Sequence, residues 1–171
     1  MKKNKTQESL AGEYAVLSQL ALRGFDASLT LGNTKGVDIL VSNPANDDMF
    51  RVEVKTTIKN TGEKISHSEL FGDVENIWML SEKNESIIND KLLYCLVSID
   101  SKTNIFSYYI VPSKIVANYL KAEAKLWFGA EKRKITKTAG MRHFRLGVKN
   151  FNYKIPTPIA NDYKNNWNLL K

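Results

Sequence analysis

Glu53-Val54-Lys55 sets a carboxylate and an ammonium two positions apart, inside a run from Phe50 to Thr57 that alternates apolar and polar residues with the period of a β-strand. Side chains two apart on a strand share a face, so Glu53 and Lys55 project together, roughly 7 Å apart at twice the rise per residue. Upstream, Val37, Ile39 and Val41 alternate with Asp38 and Leu40, and Asn43-Pro44-Ala45-Asn46-Asp47-Asp48 between the two runs is a turn. The pair reads as a β-hairpin, and a neighbouring strand would bring Asp38 beside Glu53 and Lys55. Several carboxylates around one ammonium repel each other unless a cation joins them. A hard divalent ion, which takes carboxylate oxygens, waters and phosphate oxygens, suits such a set. Alternation alone is also what a strand with one face in water shows, and on that reading Glu53 and Lys55 are only its solvated side.

A third acid comes from the element before the hairpin. Thr6 as N-cap, Gly24 as C-terminal stop and the helical spacing of Leu10, Tyr14, Leu17, Leu20 and Ala21 predict a helix. At about 100° per residue Glu13 falls within that apolar stripe. A carboxylate held there without a partner is costly, so a counter-charge, a hydrogen bond or a metal is expected beside it. The alternative is a residue on the stripe's rim.

An acid opening one strand, then Glu-x-Lys on the next, with a glutamate on the preceding helix, resembles the PD-(D/E)xK nuclease superfamily. Here the motif is Asp38 … Glu53-Val54-Lys55, with Gly12-Glu13-Tyr14-Ala15 on the helix. It covers roughly the first third of the chain. The proline that usually precedes the acid is Val37 here. The resemblance implies a restriction-endonuclease-like α/β fold, a mixed central β-sheet flanked by α-helices, and a metal-dependent DNA endonuclease of restriction-enzyme or junction-resolvase character. It implies that Asp38, Glu53 and the Val54 carbonyl bind Mg²⁺, with Mn²⁺ as a substitute, that Glu13 assists, and that Lys55 holds the attacking water. It also makes a homodimer plausible, since two strands must be cut. The rival is a nucleic-acid-binding or assembly protein that keeps this fold without cleaving.

At 171 residues with 43% hydrophobic side chains, one α/β domain with a substantial core is expected. No apolar run follows the basic Met1-Lys2-Lys3-Asn4-Lys5, so neither a signal peptide nor a membrane span is expected. The lone Cys95 precludes an internal disulfide and reads as a core residue in a reducing cytoplasm. The net charge of +7 is uneven: 12 Lys/Arg against 15 Asp/Glu before residue 112, then 13 against 3. Much of that basic excess lies in the portion from about 130 to 171, where Lys132, Arg133, Lys134, Lys137, Arg142 and Arg145 would track DNA phosphates.

The remaining segments carry structural expectations. Leu29-Thr30-Leu31 is a first strand, with a turn over 32–36. Residues 58–73 read as a long loop holding His67, to which no role is assigned. Residues 76–88 have a helical 77, 80, 87, 88 spacing. Leu92–Ile99 and Ile105–Val111 are strands joined by a hairpin connection, and Pro112-Ser113 opens a helix that Gly129 ends. Met141–Val148 alternates as a strand with Arg142, Phe144 and Leu146 on one face and His143 and Arg145 on the other. A helix over 161–170 docks Trp167 and Leu170.

Overall fold

The computed structural model describes residues 4–30, 36–60, 66–129, 140–148, 155 and 157–171. The first helix, α1 (Lys5–Ala21), begins two residues earlier than expected because Asn4, not Thr6, caps it. The Asn4 side chain accepts from the Gln7 N–H at 2.9 Å, and the Gln7 side chain accepts from the Asn4 N–H at 3.1 Å. Two of the orphan donors of the first turn are thereby satisfied. Past α1 the chain reverses through Gly24, whose φ of +80° suits a residue without a Cβ.

A central sheet follows in the order β1-β2-β3-β6-β7. It comprises β1 (Asp26–Leu29), β2 (Ile39–Asn43), β3 (Asp48–Lys59), β6 (Leu92–Asp100) and β7 (Phe106–Pro112). Only β3 and β6 run parallel, so the sheet is mixed, and helices flank it as expected. Leu92 to Ile99 of β6 is buried throughout, the signature of a strand covered on both faces. One face packs Cys95, Val97, Val52 and Val54 under Val16 and Leu20 of α1. The other packs Tyr94, Leu96 and Tyr109 against α2 (Ser113–Gly129) and a second, antiparallel sheet. That sheet has the order β4-β5-β8, from β4 (Ser66–Ser68), β5 (Gly72–Ser81) and β8 (Met141–Gly147). Among the described residues no helix is long and apolar enough to cross a membrane.

Three expectations are corrected. Residues 58–73 are not one loop: β3 runs on to Lys59, and β4 pairs with β5 in a hairpin that places His67 Nδ1 2.7 Å from Asp73 Oδ1. Residues 76–81 are strand, not helix, followed by a single 3-10 turn at Glu82–Glu85. The inward face of β5 is Val74, Asn76, Trp78 and Leu80, and the buried Asn76 hides the alternation from a reading by hydrophobicity. Its amide donates to the Tyr109 hydroxyl at 3.4 Å and accepts from Ser98 Oγ at 3.3 Å. At the C-terminus α3 (Ala160–Tyr163) and a 3-10 turn at Trp167–Leu170 replace one helix, divided at Asn165 with φ +53°. Trp167 and Leu170 dock as expected.

The buried face of α1 is also rotated from the expected stripe. Leu10 and Tyr14 are exposed, and Gly12, Val16 and Leu20 face the sheet. The reason is a close approach at Gly12, where a Cβ would meet Thr56 Oγ1 at 1.9 Å and Thr56 Cβ at 3.1 Å. Gly12→Ala should therefore destabilise the protein by about 1–3 kcal/mol through overpacking, against an opposing helix-propensity gain of about 1 kcal/mol. Thr56→Ala in the same chain should recover part of the loss, read by urea unfolding.

Candidate metal-binding and nuclease site

The candidate site lies where β2 and β3 part. In the antiparallel β2–β3 ladder, Asp38 N donates to Val52 O at 2.9 Å, and Ile39 opposite Val52 is the last paired position of β2 toward that end. Two residues further along β3, Val54 turns its N–H to the same edge. The Asp38 side chain takes over the role of the missing strand: Oδ2 accepts from Val54 N at 2.6 Å. Asp38 is thus fixed against the residue between Glu53 and Lys55, as the hairpin reading anticipated. Behind it, the Thr30 N–H donates to Asp38 O at 2.9 Å and Thr30 Oγ1 to Val37 O at 2.7 Å, which ties β1 to the same turn.

Glu53 and Lys55 project from one face of β3, across from Tyr94 and Leu96 in the parallel register with β6. Glu53 is only 7% exposed. Its Oε1 lies 2.5 Å from Lys55 Nζ, and the same ammonium donates to the Val54 carbonyl at 3.2 Å. Glu53 Oε2 is buried with no hydrogen-bond partner. Opposite it stands Gly36 with φ +72°, where a Cβ would come within 3.3 Å of that oxygen. Burial pushes the Tyr94 hydroxyl up to about 12, an Asn84 hydrogen bond opposes this, and the Glu53 charge adds to the rise.

Glu13 reaches this region from α1. Its carboxyl is half-buried and accepts from Ser9 Oγ at 3.3 Å. Burial raises its pKa above the ordinary value, the Asp38 charge raises it further, and the Ser9 hydrogen bond and the Lys55 ammonium work against the rise. Glu13, Asp38 and Lys55 therefore share one electrostatic neighbourhood.

The donors offered here are carboxylate and carbonyl oxygens, the set a hard divalent ion takes, and the unanswered buried oxygen of Glu53 fits an ion as its partner. They are not drawn together into a cage. Among the described residues no group of three or more His, Cys, Asp or Glu is close enough to hold an ion as it stands.

The expected basic track fares differently. Lys132, Arg133, Lys134 and Lys137 lie outside the described residues. Arg142 and Arg145 are 6% and 8% exposed, and their charges are used inside the fold. Arg142 Nε pairs with Glu85, with Glu82 3.9 Å from its guanidinium, and the ring of Phe128 lies beneath it. Arg145 pairs with Glu123 of α2 at 2.8 Å and lies over the Phe71 ring. Arg142 and Arg145, expected to track DNA phosphates, are instead buried by partners far along the chain.

Sequence reasoning missed Gly12 and Gly36, the close-approach positions that seat α1 and Glu53. It also stopped at Thr57 on β3, where Lys59 continues the Glu53–Lys55–Thr57 face and its ammonium donates to Glu75 O at 2.9 Å. The period-2 rule carried two residues further would have found Lys59.

No family model matches the chain, and no curated protein matches it. Its fold is similar to that of a solved bacterial homing endonuclease, I-Ssp6803I, with a TM-score of 0.55 at 11% identity. The likeness covers 99% of this chain and 92% of that one.

Proposed function

We propose that this protein is a metal-dependent DNA endonuclease of the PD-(D/E)xK type, hydrolysing phosphodiester bonds as restriction enzymes or junction resolvases do. One observation carries the reading: at the fork of β2 and β3, Asp38 is locked beside a buried Glu53 that pairs with Lys55 and whose second carboxylate oxygen has no hydrogen-bond partner. The fold shared with a homing endonuclease supports it.

Asp38, Glu53 and the Val54 carbonyl would hold Mg²⁺ or Mn²⁺, with Glu13 assisting. Bound there, the ion supplies a more acidic water and a counter-charge for the leaving oxygen. The chain's own residues do the rest. Rigid β3 and the Val54 N–H hold the two carboxylates in fixed places, so little reorganisation is needed when substrate arrives. Lys55 orients the attacking water and offsets the charge that develops on phosphate. Cutting both strands needs two such sites, for which a homodimer is the simplest arrangement.

The second reading, a DNA-binding or assembly protein that does not cleave, draws on the absence of a preassembled three-ligand set among the described residues. Incubating the purified protein with supercoiled, linear, branched and single-stranded DNA separates the two. Products with Mg²⁺ and none with EDTA are expected, and salt-sensitive binding without products under any divalent ion would favour the second.

The basic segment makes its own prediction. Replacing Lys132, Arg133 and Lys134 with Gln should flatten the slope of log K against log salt by up to about 0.9 for each phosphate that is no longer neutralised. A fluorescence anisotropy titration over a salt series measures it, and an unchanged slope would remove these residues from the DNA interface.

A further inference from the structure

We propose that the Lys55 ammonium is a built-in occupant of the cation seat, so that a divalent ion binds Glu53 and the Val54 carbonyl only by displacing it. The inference rests on the reading of this site as a metal centre and adds how the centre is kept closed until an ion arrives.

Lys55 Nζ contacts Glu53 Oε1 at 2.5 Å and Val54 O at 3.2 Å. These are the two β3 atoms a cation would take. A carboxylate 7% exposed needs a positive partner, and Lys55 supplies it. The fit is incomplete: the ammonium answers Oε1 and the carbonyl, while Oε2 remains buried beside Gly36 without a donor. A divalent ion with about six oxygen ligands satisfies both carboxylate oxygens and the carbonyl at once, and waters complete its shell. The ammonium cannot stay where it is when that happens, because two cations would share the same two oxygens at contact distance.

Lys55 has somewhere to go. Its side chain is 30% exposed against 9% for Glu53, so its tip lies on the solvent side of the pair. An ammonium that swings outward keeps its charge in water, next to the place a phosphate would occupy. One exchange then does two things: it opens the seat and delivers Lys55 to the substrate. Ion affinity is lowered by the fraction of molecules in which the lysine is in place.

Calorimetric titration of the full chain with Mn²⁺ tests this without reference to cleavage. Lys55→Met and Lys55→Gln should each bind Mn²⁺ at least about tenfold more tightly than the unaltered protein. Lys59→Met, which removes a positive charge from the same face of β3 without touching the two oxygens, should change affinity less than about twofold. Melting curves add a second readout: Lys55→Met should melt lower than the parent in EDTA and gain more from Mn²⁺. A Lys55→Met chain that is unfolded in EDTA and refolds with Mn²⁺ would support the exchange equally well. Parent and Lys55 variants binding Mn²⁺ with equal affinity would overturn the exchange and leave the metal centre standing. So would Lys59→Met tightening binding as much as Lys55→Met, which would assign the effect to net charge. If no protein in the set binds Mn²⁺ or gains stability from it, the metal reading itself fails and the exchange falls with it.

Discussion

Lys55→Ala is expected to keep its affinity for DNA and to cleave it at least about 100-fold more slowly, the scale typical of removing one electrostatic group aimed at a transition state. Lys55 shares a face of β3 with Glu53 and ends beside the atoms proposed to hold the ion, within reach of a water there. Interactions that strengthen only as the reaction proceeds accelerate chemistry, so the loss should fall on the single-turnover rate and spare binding. Combined with the displacement argued above, the variant should bind metal more tightly and cut less, two changes that a merely structural lysine would not produce together. Lys55→Arg should not restore the rate, because a planar guanidinium places its donors differently from an ammonium. Were Glu53 and Lys55 only a surface pair, Lys55→Ala would cleave at the parent rate with a stability change under about 1 kcal/mol.

The largest stability effect is expected away from the site, at Glu123. This α2 residue is 3% exposed and pairs at 2.8 Å with Arg145, itself 8% exposed. Glu123→Ala leaves the guanidinium buried without its carboxylate, beside the His143 carbonyl at 3.3 Å and the Phe71 ring. Breaking one side of a buried pair costs about 3–5 kcal/mol, which for a chain of this size lowers the melting temperature by about 10 °C. Replacing both residues, Glu123→Leu with Arg145→Met, should cost much less, since no charge is stranded. Urea denaturation of Glu123→Leu, Arg145→Met and the double variant measures the coupling. Additive losses would mean that the pair contributes nothing as a pair.

How far the sequence could be read follows from where each signal is stored. The β2–β3 hairpin, β6, β7 and α2 were legible because their cues are local: a turn between alternating runs, an apolar stretch of strand length, a proline and a glycine bounding a helical pattern. The Asp38–Glu53–Lys55 neighbourhood was legible for the same reason, since one hairpin positions it. β5 was not, because Asn76 occupies an inward position and is made tolerable there by Ser98 and Tyr109, residues 22 and 33 positions away. The burial of Arg142 and Arg145 was hidden in the same way, as Glu85 and Glu123 lie 57 and 22 positions from them. The face of α1 was misread because one close approach, Gly12 against Thr56, fixes how the helix sits, and hydrophobicity carries no record of it.

The central claim is that Asp38, Glu53 and Lys55 form a metal-dependent nuclease centre, and conversion of supercoiled DNA by the parent protein and Asp38→Asn in Mg²⁺ tests it most directly. Asn at this position retains an oxygen to accept the Val54 N–H and removes the charge that would face the ion. The account predicts Mg²⁺-dependent nicking or linearisation by the parent, abolished by EDTA, and at least about 100-fold slower conversion by a folded Asp38→Asn. Equal cleavage by the two proteins, or cleavage by the parent that persists in EDTA, would contradict it.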